Sequence, residues 1–294
     1  MEQVFDARRV EANRLKAWRA AKPGADFLLD LVAGEIADRL AVVERQFEQA
    51  VELHGVTGTV ARAALATGKI DRMQRVESDA AFAGADTAVT VAPLELPGLE
   101  DQSLNLVLSP LVAHLTNDTP GYFIQARRAL KPDGLFLAAI PGSGTLAELR
   151  DCLITAETEI YGGVSPRVIP FADVRDIGGL LQRAGFALPV VDQENYTVRY
   201  DTLFDLMADL RAMGMTNPLA DRSTRPVSRA FFLRAAELYA ERHSDPDGRI
   251  RATFSIIYVS GWAPHESQQK PLKPGSAKAR LADALNTEEI KLKR

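Results

Sequence analysis

The sequence predicts an α/β chain on a doubly wound, mostly parallel sheet. Three features predict it. From residue 47 onward short apolar runs alternate with helical patterns. Two runs, Leu104–Ser109 and Leu135–Ile140, are nearly continuous in apolar residues, as strands covered on both faces require. The strand pattern Ala50–Leu53 ends in a glycine-bearing loop that opens a helix.

The elements follow in order. Val4, Phe5, Val10, Leu15 and Trp18 make a loose apolar stripe among Arg, Glu and Lys, and Lys22-Pro23-Gly24 ends it. A second stripe runs through Phe27, Leu28, Leu31, Val32, Ile36 and Leu40, so residues 1–46 read as helices packing on the core. Ala50–Leu53 is the first strand, and His54-Gly55-Val56-Thr57-Gly58 leads into a helix to about Thr67. Strands follow near Met73–Val76, Ala88–Ala92 and Leu104–Ser109. Thr119 is placed to cap a helix whose first position is Pro120, and Lys131-Pro132-Asp133-Gly134 stops it before the strand Leu135–Ile140. Thr145 and Glu148 match a capping box for the next helix. A helix over about 172–184 ends at Gly185; strands near 187–191 and 251–260 bracket helices over 201–213 and 228–242. The core domain is expected over 47–264, with helical insertions at about 143–171 and 201–245. Residues 265–294 read as a flexible tail with a short helix near 278–285.

Composition narrows the function. The 294 residues carry 35 Lys and Arg against 39 Asp and Glu, a net charge of −4 without a basic block, which argues against nucleic acid as a main partner. The single Cys152 excludes an intramolecular disulfide framework, and with four scattered histidines no zinc site, nor any other metal site, is expected. No apolar run is long enough to span a bilayer, and the first residues alternate charge and apolarity rather than forming a signal-peptide core, so a cytoplasmic enzyme is expected.

In such a sheet ligands bind beyond the carboxyl ends of the strands. The loop from Glu52 to Gly58 lies there; small residues admit a ligand close to the backbone, and a helix start favours an anionic group. Glu77, nineteen residues after Gly58, has the spacing of an acid that accepts ribose hydroxyls. The alternative is an ordinary turn with Glu77 on a solvated rim. His114, just past the fourth strand, is the best-placed general base, with Asp118 four residues on and Ser109 at the strand end; a loop histidine bonded to a carbonyl is the other reading. Arg150, Arg167 and Arg175, with Tyr161, follow the fifth strand, either as a grip on an acidic partner or as a solvated face.

The segment Glu52-Leu53-His54-Gly55-Val56-Thr57-Gly58 resembles a degraded D-L-G-x-G-x-G loop of the class I S-adenosylmethionine-dependent methyltransferases. Supporting segments are Leu94-Glu95-Leu96-Pro97, Leu104 through Ser109, and Arg128-Ala129-Leu130-Lys131-Pro132-Asp133-Gly134. More specific are Gly162-Gly163-Val164-Ser165-Pro166-Arg167, Arg211-Ala212-Met213-Gly214, Asp245 through Thr253 and Gly261-Trp262-Ala263-Pro264-His265. These are similar to the mitochondrial and alphaproteobacterial branch of complex I assembly factors with a methyltransferase fold; the malonyl-carrier-protein methyltransferases are more distant. The resemblance implies strand order 3-2-1-4-5-7-6 and S-adenosylmethionine as cofactor. It places Glu52, His54, Gly55 and Gly58 by the methionine part, Glu77 by the ribose, and Pro93 and Leu94 by the adenine. It further implies hydroxylation of an arginine in a complex I subunit, so the partner is a protein substrate or assembly intermediate, met at the inner membrane.

The chain departs from that pattern where His54 replaces a glycine, Glu52 and Asn105 replace aspartates, and Pro93 stands where an aspartate commonly holds the adenine. Those departures predict weakened or lost cofactor binding. They leave two other readings open: a methyltransferase-fold assembly chaperone without catalysis, and a small-molecule methyltransferase with a lid around Phe204, Leu206, Phe231 and Phe232.

Overall fold

The computed structural model describes residues 3–84, 89–269 and 287. Met1–Pro264 form one compact unit and His265–Arg294 a second. The expected helix near 278–285 lies outside the described residues. In the second unit His265 Nδ1 lies 2.7 Å from Ser267 Oγ, a local turn contact.

Seven strands order as β3-β2-β1-β4-β5-β7-β6: β1 Ala50–Leu53, β2 Met73–Glu77, β3 Val89–Val91, β4 Leu104–Pro110, β5 Leu130–Pro141, β6 Ala187–Tyr200 and β7 Ile250–Trp262. The first five pair in parallel; β7 runs antiparallel to β5 and β6. Among the described residues eight α-helices accompany them: α1 Ala7–Ala20, α2 Phe27–Ala41, α3 Thr59–Ala66, α4 Thr119–Ala129, α5 Ala147–Tyr161, α6 Val174–Arg183, α7 Leu203–Ala212 and α8 Arg229–His243. This is the doubly wound, mostly parallel architecture and the strand order expected.

Strand alternation divides the core into two layers. Leu135, Leu137 and Ala139 of β5 join the layer under α2, α3, α5, α7 and α8, while Phe136, Ala138 and Ile140 join the layer under α4 and α6. Both faces are covered, so the strand reads as a continuous apolar run rather than an alternating one. Phe136 is fully buried, 5.6 Å from the Phe123 ring and 5.2 Å from the Phe186 ring.

Several local expectations are corrected. Helix α4 is capped by Asp118, whose carboxylate accepts from Gly121 N at 2.9 Å, and not by Thr119, which opens the helix itself. The capping box does not form: Leu146 precedes α5 in the left-handed region, Thr145 Oγ1 donates to Ser255 O, and Glu148 accepts from Thr253. Those two side chains fasten α5 to β7 instead. Strand β5 begins at Leu130, directly after α4, and takes Lys131-Pro132-Asp133-Gly134 into an irregular stretch with Asp133 at φ 63°. Strand β6 runs on to Tyr200, well past the expected end near residue 191. Its polar Asp192-Gln193-Glu194-Asn195 stretch hides a strand that pairs with β7 over almost its whole length. Asn105 sits at the opening of β4, where its Oδ1 accepts from Gln49 N; it ties β1 to β4 and has no place at the strand ends that bind ligands.

The N-terminal segment decides the shape of the site. Phe5 bridges antiparallel to Leu219, and its backbone N–H donates to Asn117 Oδ1 at 2.9 Å while Asn117 Nδ2 donates back to Phe5 O. Phe5, Val10 and Leu219 form a small separate core against Leu94, Leu115 and Ile169. Helix α1 is thereby held across the carboxyl ends of the parallel strands.

Truncating Phe136 to Ala should destabilise the fold by about 3–5 kcal/mol, because two ring contacts and a buried side chain are lost from a site with little room to collapse. Leu188→Ser, at a half-exposed position of the edge strand, should stay within roughly 0.5 kcal/mol. Urea denaturation of both variants checks the contrast.

Candidate functional site

The turn after β1 is strained. His54 and Val56 take φ of 56° and 62°, left-handed values that cost a non-glycine residue about 1–2 kcal/mol, and Gly58 follows at 65°. The glycines that remain meet the chain's own side chains. A Cβ on Gly55 would lie 2.5 Å from the Glu52 carboxylate, and one on Gly58 would lie 2.9 Å from Arg75 Nε. Glycine at both places is therefore required by internal packing.

The parallel register sets Glu52 beside Arg75, and the two-residue period of β2 brings Glu77 to the same face. Arg75 Nε donates to Glu52 Oε2 at 3.1 Å, and Nη2 donates to Glu77 Oε1 at 2.7 Å, to Val56 O at 3.0 Å and to Phe82 O at 3.3 Å. Glu52 Oε1 accepts from Ala61 N in the first turn of α3. Both carboxylates have no solvent exposure. Burial raises the pKa of Glu52, with Arg75 opposing, and pushes Glu77 up to about 7 against the pull of Arg14 and Arg75. Glu77 Oε2 has no hydrogen-bond partner.

Arg14 of α1 closes the site from above. It is 8% exposed, donates to Ser78 Oγ at 3.0 Å and to the His54 carbonyl, and lies 5.4 Å from the centre of the Phe82 ring. Trp18, one turn on, meets the same ring edge-on at 6.1 Å.

Beneath α1 lies a cavity of about 480 Å³, within the size range of small-molecule sites. Its walls come from α1, the turn at residues 54–57, the loop after β4, α5 and the segments 167–171 and 210–218. Most of them are apolar: Val56, Leu111, Leu149, Phe171, Met213 and Trp18 among others. His114 faces it, its ring 6.3 Å from Phe171. Burial first and Arg14 second hold the His114 pKa down to about 3 and that of His54 to about 4, so both rings are neutral at physiological pH. His54 Nε2 lies 3.1 Å from Ala92 O, which makes Nε2 the protonated nitrogen; the Nδ1 atoms of His54 and His114 are buried without partners.

Of the residues expected to hold the cofactor, His54 and Gly55 line this cavity; Glu52, Gly58, Glu77, Pro93 and Leu94 do not. Glu52 and Glu77 are closed on Arg75, Pro93 is exposed, and Leu94 packs against Phe5 and Val10. Neither proposed obstacle plugs the hollow: the His54 ring turns away to Ala92 and the Pro93 ring stands outside. Glu77 does not line the cavity in the manner the resemblance implies. The acid that would take the ribose hydroxyls is held by a guanidinium and covered by α1.

Of the catalytic candidates, only His114 faces the cavity. Ser109 is buried against Tyr122, their hydroxyls 2.9 Å apart, and Asp118 is an exposed helix cap. The arginines do not form one grip. Arg167 makes two hydrogen bonds to Glu157 (2.7 and 3.0 Å) and stacks 4.6 Å over Phe231. Tyr161 packs on the same Phe231 and bonds Ser228, Arg150 donates to Ile169 O, and Arg175 stands exposed on α6. Phe231 and Leu206 are core, and neither they nor Phe204 and Phe232 line the cavity. Away from it, Asp151, Cys152 and His243 come within 4.8 Å of one another, a cysteine–histidine grouping the sequence did not announce; the Asp151 carboxylate there already pairs with Arg242 at 2.8 Å. Sequence reasoning missed Arg14 and Arg75. Arg75 was legible as the two-residue neighbour of Glu77, whereas Arg14 has the look of a solvated helix position.

A methyltransferase-domain family model matches residues 34–138. Over most of its length the chain resembles the mitochondrial arginine-hydroxylase NDUFAF5. It is 35% identical to the Danio rerio protein over 95% of this chain and 89% of that one, and 37% identical to the Homo sapiens protein over 93% and 81%. The Dictyostelium discoideum protein is 39% identical over 89% of this chain, which spans only 65% of that longer relative. The malonyl-[acyl-carrier protein] O-methyltransferase of Gallionella capsiferriformans shares 34% identity over 62% of the chain. The crystal structure of YcgJ from Bacillus subtilis covers 78% of the chain with a TM-score of 0.53 at 13% identity, a likeness of fold alone.

Replacing Arg75 by Met should destabilise the protein by about 3–5 kcal/mol, since two buried carboxylates lose their partner. Adding Glu52→Gln and Glu77→Gln should recover much of that loss in the same denaturation assay. A second expectation concerns acid. His114 takes up a proton near pH 6.5 when unfolded but only near pH 3 when folded, so it contributes stability above pH 6.5 that is lost as the pH falls toward 3. His114→Phe should flatten that part of the stability–pH curve, read by thermal melts between pH 7 and 4.

Proposed function

The chain belongs to the family of the mitochondrial arginine-hydroxylase NDUFAF5, and on that premise we propose that it is an enzyme that modifies an arginine side chain of a protein. The cavity under α1 is its reaction chamber. The observation that carries this reading is the coincidence of relatedness along almost the whole chain with a largely apolar, partly open hollow at the carboxyl ends of β1 and β4.

Within it His114 offers a neutral imidazole with an unpaired Nδ1, an acceptor for an N–H of an entering side chain. The apolar walls exclude water and strengthen that contact. Glu52 and Glu77 are engaged by Arg75. A complex I subunit is the target that the sequence resemblance suggests. Among the described residues no helix is long and apolar enough to cross a membrane, which suits a protein brought to the inner membrane by that partner.

The closure of Glu52 and Glu77 on Arg75 also favours a second reading, a scaffold that chaperones an assembly intermediate without chemistry. The two separate by mass spectrometry of complex I subunits from cells with and without the protein. An arginine peptide heavier by one oxygen should vanish on deletion, return with the wild-type chain, and fall by at least about tenfold with a His114→Phe variant that still folds. Assembly restored by that variant with no modified arginine in either strain would leave only the scaffold.

A further inference from the structure

Away from the cavity, one cluster of side chains has the composition of a metal site. Asp151 and Cys152 are neighbours on α5, and His243 ends α8, which packs against α5. One ligand atom from each lies within 4.8 Å of the others. His243 Nε2 stands 3.7 Å from Asp151 Oδ2 and is buried with no hydrogen-bond partner. The Cys152 thiol is free and its residue has no solvent exposure. The Asp151 side chain is half exposed, so the group opens to solvent on one side. None of the three lines the cavity under α1.

A buried imidazole nitrogen without a partner costs free energy in the protein alone, and this one lies beside a carboxylate and a thiol. Thiolate, imidazole and carboxylate are the ligand types of zinc, whereas magnesium and calcium take oxygen. Ligand atoms on one tetrahedral zinc stand roughly 3.5 Å apart, so about 1 Å of side-chain movement brings all three onto one ion. Arg242 Nη1 donates to Asp151 Oδ2 at 2.8 Å, which leaves the second carboxylate oxygen for an ion. The Arg242 guanidinium opposes a second cation, and a thiolate and a carboxylate on the ion offset it. The last turn of α8 adds its carbonyl dipoles, which favour positive charge at that end.

We propose that Asp151, Cys152 and His243 bind one zinc ion, with water in the fourth position, and so clip α5 to the C-terminal end of α8. The thiol gives its proton to solvent as the ion binds. The expectation of no metal site rested on histidines scattered along the sequence, and the packing of α8 on α5 removes that scatter for His243. Zinc at this place is independent of what the enzyme does to an arginine, so either can fail alone.

The chain has a single cysteine, so a thiolate-to-cobalt charge-transfer band in the near ultraviolet reports on Cys152 alone. The metal-free, full-length chain is titrated with cobalt(II) and then with zinc(II), following absorption. Cobalt should bring up that band, saturating at one ion per chain, and zinc should abolish it. Cys152→Ser should remove the band. His243→Gln should weaken cobalt binding by more than the roughly ten- to hundredfold loss that a merely supporting residue gives, while His265→Gln, in the second unit, should leave it unchanged. Zinc should also raise the melting temperature of the wild-type chain and not that of His243→Gln. No band from the wild-type chain at millimolar cobalt, no rise in its melting temperature with zinc, full affinity in His243→Gln, or an equal loss in His265→Gln would each overturn the assignment. The first two results need no variant, so they stand even if a replacement does not fold.

Discussion

One buried ion network governs this end of the molecule. Arg75 stands between Glu52 and Glu77, and its presence explains features that would otherwise read as parts of a nucleotide site. Glycine is needed at 55 because of the Glu52 carboxylate and at 58 because of the Arg75 guanidinium. The acid at the end of β2 is retained, yet it serves a neighbour two residues away. Two buried carboxylates without Arg75 would carry a desolvation cost far larger than a surface pair can offset. With it they become a rigid cross-link among β1, β2 and the turn that follows.

The electrostatics of the cavity follow from that arrangement. Arg75 takes up both acids, so the second guanidinium, Arg14, is left to neutral acceptors. Its field reaches His54 and His114 and, after burial, is the next cause of their low pKa values. A neutral His114 imidazole facing an apolar hollow suits hydrogen bonding and disfavours proton transfer to substrate near pH 7. An enzyme working here would rely on positioning in a dry site more than on acid–base exchange.

The architecture was legible in the sequence because it depends on periodicity. Leu135–Ile140 has no polar member, so only a strand covered on both faces accommodates it, and Gly185 marks the end of α6 by the φ it must adopt. The polar stretch of β6 was not legible, since an edge strand needs little apolar content and the ladder to β7 is made by backbone. The site was read only in part. Spacing drew attention to Glu77 and the loop to Glu52, and although Arg75 stands two residues from Glu77, sequence alone does not bring Glu52 to the same cation. That Arg75 answers both depends on parallel register, which is a tertiary fact. His114 was found because the end of β4 is a fixed place in the fold, whereas Ser109 and Asp118 were near it in sequence and turned elsewhere, one to Tyr122 and one to a helix start.

Helix α1 joins these strands of argument. It belongs to no strand–helix repeat, and its inner face contributes Val10 to a small hydrophobic contact and Arg14 and Trp18 to the roof of the cavity. It is held by a two-residue β-bridge, reciprocal bonds with Asn117, one small apolar cluster, the bonds of Arg14 to Ser78 and His54, that of Asn13 to Thr216, and the Trp18–Phe82 contact. Its apolar cluster stands apart from the two main core layers, and elements so placed open at lower free energy than the global fold. The cavity is partly open, and α1 is the wall that brings Arg14 and Trp18 to it. A ligand that touches Arg14 or Trp18 from the cavity would add to the anchors of α1, so occupancy of the site and order of the N-terminal segment are linked through this helix.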